Sequence, residues 1–315
     1  DFELAMLPST DVAEMLKTKP NTAPDAKSTT GTSSTSKLMN LSALGFVGRR
    51  TSNQHMVGGF AITGSDQVKL FIKCNGPTLS ALGVPGAISN PKLTIKTFPA
   101  ADVVLSIENW NSSDPEWSEI ADSYKPKSAN DAAAFITVSP GLFTTEVEGV
   151  NGVTGVGQIE IYTYDELSKK EGVTSTNSTT SKLMNLSALG FVGSRVSNTH
   201  MVGGFAITGS DQVKLLIKCN GPTLSALGVP GAIANPKLTI KTFPDADVIL
   251  SIENWNSSDS EWNEIADSYQ PKSSLDVAAF ITVNPGLFTT EVEGVNGGTG
   301  VGQIEIYTYD ELSKK

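Results

Sequence analysis

The sequence predicts an all-β protein: two tandem antiparallel β-sandwich domains of jelly-roll-like type, each with one short helix, preceded by an N-terminal extended arm. Two observations carry that prediction. Residues 36–170 and 181–315 align without a gap, and only about fifteen positions differ between them. Each copy is a succession of short runs rich in Val, Ile, Thr, Phe and Tyr, punctuated by Gly and Pro. A repeat of this length is a whole domain rather than a small solenoid unit, and short strands between frequent turns belong to sandwiches and jelly rolls.

The copies set the boundaries. The first β-sandwich repeat is 36–170, the linker is 171–180, and the second repeat is 181–315. Within the first copy, residues 56–62, 68–74, 93–98, 103–107, 134–138, 143–150 and 156–164 are β-rich runs. Alternation is clean in the last, where Ile159 and Ile161 oppose Gln158, Glu160, Tyr162 and Tyr164. Residues 138–142 place Pro140 and Gly141 where a type II hairpin turn wants them. Asn75-Gly76-Pro77 and Gly83-Val84-Pro85-Gly86 are further breakers. One helix interrupts the strands: Asp114 caps it, Pro115 suits its first position, and Trp117, Ile120, Ala121 and Tyr124 share a face.

Residues 1–35 match neither copy. Phe2, Leu4 and Met6 alternate with Asp1, Glu3 and Ala5, so 1–7 reads as a half-buried strand ended by Pro8. Ser9-Thr10-Asp11 then caps a short helix with Val12, Met15 and Leu16 on its apolar face, and a Ser/Thr-rich linker follows. An apolar strand on a leash needs a groove, either on its own first domain or at a sheet edge of a neighbouring subunit, unless the segment is a frayed arm. In the second case Phe2, Leu4 and Met6 are the assembly residues.

Composition bounds the function. The 315 residues carry 23 Lys and Arg against 33 Asp and Glu, a formal net charge of −10. That balance argues against nucleic acid, whose binding rests on neutralising phosphates. No apolar run reaches the length of a membrane span. The chain begins at Asp1 without a leader, which fits an exported protein after signal-peptide removal and an extracellular or cell-surface location. Each copy holds one cysteine, Cys74 or Cys219, so no disulfide closes within a copy. A buried strand thiol is the first expectation for each, and a bridge between copies or subunits the second. The Asn-x-Ser/Thr matches at Asn40, Asn111, Asn177, Asn185 and Asn256 are permissive only.

No catalytic constellation emerges. His55 and His200 are one position in two copies, and no Gly-x-Ser-x-Gly elbow accompanies them. The glycine-rich stretch 149–157 joins two strands and opens no helix, which does not suit a phosphate cradle. The best candidate is the loop 108–114, repeated at 253–259. It offers Asn109, Asn111 and Asp114, then Asn254, Asn256 and Asp259, as oxygen donors of the kind calcium wants. The structural alternative is that these side chains form the turn and cap the helix, with no cofactor at all. Trp110 and Trp255 are the matching candidates for a sugar-stacking platform, with Tyr162 and Tyr164 beside them.

The residues also carry a resemblance. Asn40-Leu41-Ser42, Gly45-Phe46-Val47-Gly48, Gly58-Gly59-Phe60-Ala61-Ile62, Gly76-Pro77 and Gly83-Val84-Pro85-Gly86 run in order. They look like a repeat domain of large secreted and surface proteins of environmental bacteria. Ser106-Ile107-Glu108-Asn109-Trp110, Pro140-Gly141-Leu142-Phe143-Thr144 and Gly155-Val156-Gly157 are similar to bacterial pre-peptidase C-terminal domains. The resemblance implies a jelly-roll β-sandwich, export, no activity of its own, and in many members calcium or matrix polymers. Glu108-Asn109-Trp110 departs from the Asp-rich form of that loop, which counts against calcium.

The expectation is a non-enzymatic structural subunit of an extracellular filament or surface layer, partnered by itself. Two near-identical domains let a contact within one chain recur between chains, and a head-to-tail contact that does not close makes a filament. The alternative is a tandem carbohydrate- or matrix-binding module, in which two sites give avidity.

Overall fold

The computed structural model describes residues 37–49, 56–167, 182–194 and 201–312. The arm at 1–35, the linker at 171–180, His55 and His200 lie outside the described residues.

The first copy forms β1 (Lys37–Val47), β2 (Met56–Thr63), β3 (Val68–Asn75), β4 (Pro91–Phe98), β5 (Val103–Ile107), β6 (Ala132–Val138), β7 (Gly141–Gly149) and β8 (Gly155–Thr163). The second repeats them as β9 (Lys182–Val192), β10 (Met201–Thr208), β11 (Val213–Asn220), β12 (Pro236–Phe243), β13 (Val248–Ile252), β14 (Val277–Val283), β15 (Gly286–Gly294) and β16 (Gly300–Thr308). Every pairing between these strands is antiparallel. The all-β antiparallel class therefore holds. The seven runs read from the sequence fall on β2 to β8, and β1 is the strand that reading missed.

Among the described residues there are two α-helices, each of five residues, α1 (Pro77–Ala81) and α2 (Pro222–Ala226). They stand where the sequence reading placed only breakers. Pro77 occupies the start, where its missing N–H costs nothing. The helix expected after Asp114 is instead one 3₁₀ turn, Pro115–Ser118, matched by Ser260–Asn263. Short helices gain stability from packing rather than propensity, and that single turn already buries Trp117. No helix among the described residues is long and apolar enough to cross a membrane.

The expected hairpin at 138–142 is also corrected. β6 pairs with β3, whereas β7 pairs with β2 and β4, so the segment crosses between sheets. Gly141 does not adopt the positive φ of a type II turn; that conformation falls to glycines such as Gly64, Gly83 and Gly152.

Alternation along each strand builds the core. On β3, Leu70, Ile72 and Cys74 point into a cluster shared with Phe60, Ile95, Val147 and Ile161, while Phe71 points out into a second cluster. The same inner cluster contains Leu215, Ile217, Cys219 and Phe205 of the second copy, so one apolar core runs through both. Phe60 stacks on Phe143 at 4.9 Å and Phe205 on Phe288 at 4.8 Å. Cys74 and Cys219 are free and fully buried, so the bridge between copies is not formed.

Strand order supplies the feature the sequence did not announce. β1 does not pair with β2 of its own copy. It lies between β8 and β10, and β9 lies between β16 and β2. The order β6-β3-β8-β1 thus continues into β10-β15-β12-β13, and β14-β11-β16-β9 into β2-β7-β4-β5. β1 and β9 touch at one bridge, Phe46 to Phe191.

Candidate functional site

The loop after β5 is built as a turn. Asn111 Oδ1 accepts from the Ser113 N–H at 3.1 Å, and Asp114 Oδ1 accepts from the Glu116 N–H at 3.0 Å. Asp114 therefore caps the 3₁₀ turn, as a residue of its type does at a helix start. In the second copy Asn256 Oδ1 accepts from the Ser258 N–H, and Asn256 Nδ2 donates to Asp259, which makes no cap bond. Asn109 and Asn254 stand exposed outside these turns. Among the described residues no group of three or more His, Cys, Asp or Glu is placed to hold a metal ion. Of the oxygens proposed for calcium, those of Asn111, Asp114 and Asn256 accept from backbone N–H groups, and one of Asp259 accepts from Asn256.

Trp110 is half-buried at the margin of the second apolar cluster. Its ring meets Trp117 edge-on at 4.8 Å, and its Nε1–H donates to the Ser128 carbonyl at 3.0 Å. Trp255 repeats both contacts, with Trp262 at 5.1 Å and the Ser273 carbonyl at 3.0 Å. Tyr162 and Tyr164, expected on the surface, are buried. The reason is that the loop from Trp110 to Asp131 covers the outer face of β3 and β8, so the polar side of an alternating strand faces protein rather than water.

Under that cover lies a charged network that the sequence reading missed. Lys73 Nζ lies 2.7 Å from Glu160 Oε2, both side chains almost wholly buried. Asn75 Nδ2 donates to the same carboxylate at 2.7 Å, and the Tyr162 hydroxyl donates to Oε1 at 2.6 Å. Lys73 also donates to the Tyr124 carbonyl at 3.3 Å. The second copy keeps the set: Lys218 with Glu305 at 2.8 Å, Asn220 at 2.7 Å and Tyr307 at 2.7 Å. Burial, then the neighbouring carboxylate, hold the Tyr162 and Tyr307 phenols well above their ordinary range. Burial likewise raises both cysteine thiols, so they stay protonated and unreactive. Lys73 and Glu160 fall opposite each other on β3 and β8, a pairing that the strand order reveals.

Asp131 is the second missed residue. It is fully buried, and it accepts from the Gly76 N–H at 2.8 Å, the Thr78 N–H at 3.3 Å, the Thr78 hydroxyl and the Ser128 N–H at 3.2 Å. Asp276 repeats these bonds to Gly221, Thr223 and Ser273. These carboxylates pin the covering loops to α1 and α2. They have no water-facing side on which to do chemistry.

What the surface offers is strand edge. β5 pairs only with β4, and β13 only with β12, among the described residues. Val103 and Val104 on β5, and Val248 and Ile249 on β13, are exposed. At the first-copy end, Phe98, Val104 and Leu142 line a groove of about 380 Å³. The ends are not equivalent: Leu142 is 51% exposed, whereas Leu287, the same residue in the second copy, is 4% exposed. The candidate assembly residues Phe2, Leu4 and Met6 lie outside the described residues. Asn40 and Asn185, though they match the glycosylation pattern, are buried and donate to the Ile161 and Ile306 carbonyls.

No family model and no curated protein matches the chain. Among solved structures, a DUF4785 family protein from Legionella pneumophila matches at 9% identity, over 94% of this chain and 91% of that one. Its TM-score of 0.20 is too low to carry an argument about fold or function.

Proposed function

We propose that the protein is a non-catalytic structural subunit of an extracellular filament or surface layer, assembled head to tail from jelly-roll-like units. The observation that carries this reading is the pair of open, apolar sheet ends. A bare strand edge is a template for another chain, which most proteins blunt with lysine, proline or a covering loop. Here β5 presents Val103 and Val104, and β13 presents Val248 and Ile249. A groove at one end and an exposed apolar edge at the other suit a heterologous contact, which grows into a fibre when it does not close. The N-terminal segment, read from its alternation of Phe2, Leu4 and Met6 as a strand, is a natural addition to such an edge. The resemblance to secreted repeat domains points to the same setting. The tandem carbohydrate-binding alternative gains nothing from Trp110 and Trp255, whose rings pack against Trp117 and Trp262.

Negative-stain electron microscopy of the full chain over rising concentration tests the reading, beside a Phe2→Asp/Leu4→Asp variant. Filaments from the first and dispersed particles from the second are expected. Each large apolar group withdrawn from water contributes about 1.5–3 kcal/mol, so two charges at the joint suffice to dissolve it. Filaments from both retain the polymer and discard the arm. Dispersed particles from both remove the reading.

A further inference from the structure

We propose that the contact between the two copies is an exchangeable joint, through which the first copy of one chain pairs with the second copy of another. This rests on the reading of the protein as a self-assembling subunit and names the partner surface: β1 and β2 of one copy against β10 and β9 of the next.

Within its own copy each of these strands has a neighbour on one side only. β1 has β8 and β2 has β7; the other side is filled by the twin copy. The two contacts are built from the same pair of sequences. β1 and β9 both read KLMNLSALGFV, and β2 and β10 both read MVGGFAIT. None of the positions that differ between the copies falls in them. The registers are identical as well. Lys37 faces Thr208 as Lys182 faces Thr63, and Ser42 faces Gly204 as Ser187 faces Gly59.

It follows that the contact cannot tell which chain supplies the partner. A pairing between two chains forms the same backbone hydrogen bonds and buries the same side chains as the pairing within one. The closed chain is favoured by the high effective concentration of two tethered copies, an advantage that falls away as chains are crowded. Exchange of identical elements is a low-cost route to oligomers. With two copies per chain, an exchange that does not close on itself passes the open copy to a third chain.

The geometry offers a covalent trap. A Cβ added at Gly59 would lie 2.7 Å from Ser187 Oγ, within the reach of a disulfide. The full chain carrying Gly59→Cys and Ser187→Cys is refolded at low and at high concentration, oxidised, and run on a non-reducing gel. Bridged monomers at low concentration, and a reductant-sensitive ladder growing at least tenfold in share at high concentration, are expected. Cys74 and Cys219 are buried and do not contribute, which the Gly59→Cys single variant checks. An internal bridge alone at every concentration, with filaments still seen by microscopy, overturns the exchange and leaves the assembly reading standing. Dispersed particles throughout remove both. An efficient internal bridge in Ser42→Cys/Gly59→Cys would place β1 on its own β2 and overturn the joint. Should the substitutions hinder folding, native mass spectrometry of unaltered isotope-mixed chains gives the same decision: mixed dimers rising with refolding concentration support it, and their absence overturns it.

Discussion

The contact between the copies and the outer ends of the sheets are made of the same material and differ in fate. β1, β2, β9 and β10 are strands with a complement at hand, identical in both copies and paired. β5 and β13 are strands without one among the described residues, and they differ in sequence, Val104 in the first standing where Ile249 stands in the second. The inner contact stabilises the chain whether or not it ever meets another. At the outer ends Leu105, Ile107, Leu250 and Ile252 pack against the core, but the exposed Val103, Val104, Val248 and Ile249 bury little in the single chain, so any work those four do is between chains. A joint and an end are thus separable by substitution, and the size of the effect on stability should report which was touched.

The largest loss is expected beside the joint, at Glu160. Its strand neighbour across β1 is Ser42, so it sits one strand from the contact with β10. Glu160→Gln leaves Lys73 charged and buried without its counter-ion. Removing one member of a buried pair costs about 3–5 kcal/mol. Because one apolar core threads both copies, denaturant unfolding should remain a single transition shifted to lower denaturant. Two transitions, one of them unshifted, would show that the copies unfold independently.

A smaller loss is expected within the joint itself. A Cβ at Gly58 would come 2.3 Å from Thr145 Oγ1 and 3.4 Å from the Ser187 carbonyl. Thr145 is fully buried and has little room to yield. Gly58→Ala should therefore cost about 1–3 kcal/mol through overpacking. Gly45, on β1, has nothing within 4 Å of the same added atom, so Gly45→Ala should stay within about 0.5 kcal/mol. Equal effects from the two would contradict the close approach of β2 to β7 and β9.

How much of this was legible in the sequence follows burial. β2 to β8 were readable because β-rich runs between Gly and Pro mark strands wherever they pack. β1 was not, because Ser42, Ala43 and Leu44 are all buried, and a strand covered on both faces loses its alternation. The turn at Asp114 was readable, since Asp followed by Pro is a local signal. Gln158-Ile159-Glu160-Ile161-Tyr162 misled: the alternation is real, but its polar side lies under the loop of Trp117 and Tyr124. The pairing of copies left no trace at all. Identical strands fit either partner, so no side chain records the choice.

The smallest effect on stability, and the sharpest on assembly, is expected at the outer ends. Val104 and Ile249 are exposed and lie on edge strands, so Val104→Lys and Ile249→Lys remove little buried surface. Each should change unfolding free energy by about 0.5 kcal/mol or less. A lysine on an edge nevertheless opposes strand addition, because pairing there would have to desolvate the charge. Light scattering at rising concentration should show the double variant remaining dispersed while the unaltered chain assembles. Undiminished assembly would clear β5 and β13 of any part in it. Growth would then rest on the joint between copies, where the Gly59–Ser187 disulfide reads it directly.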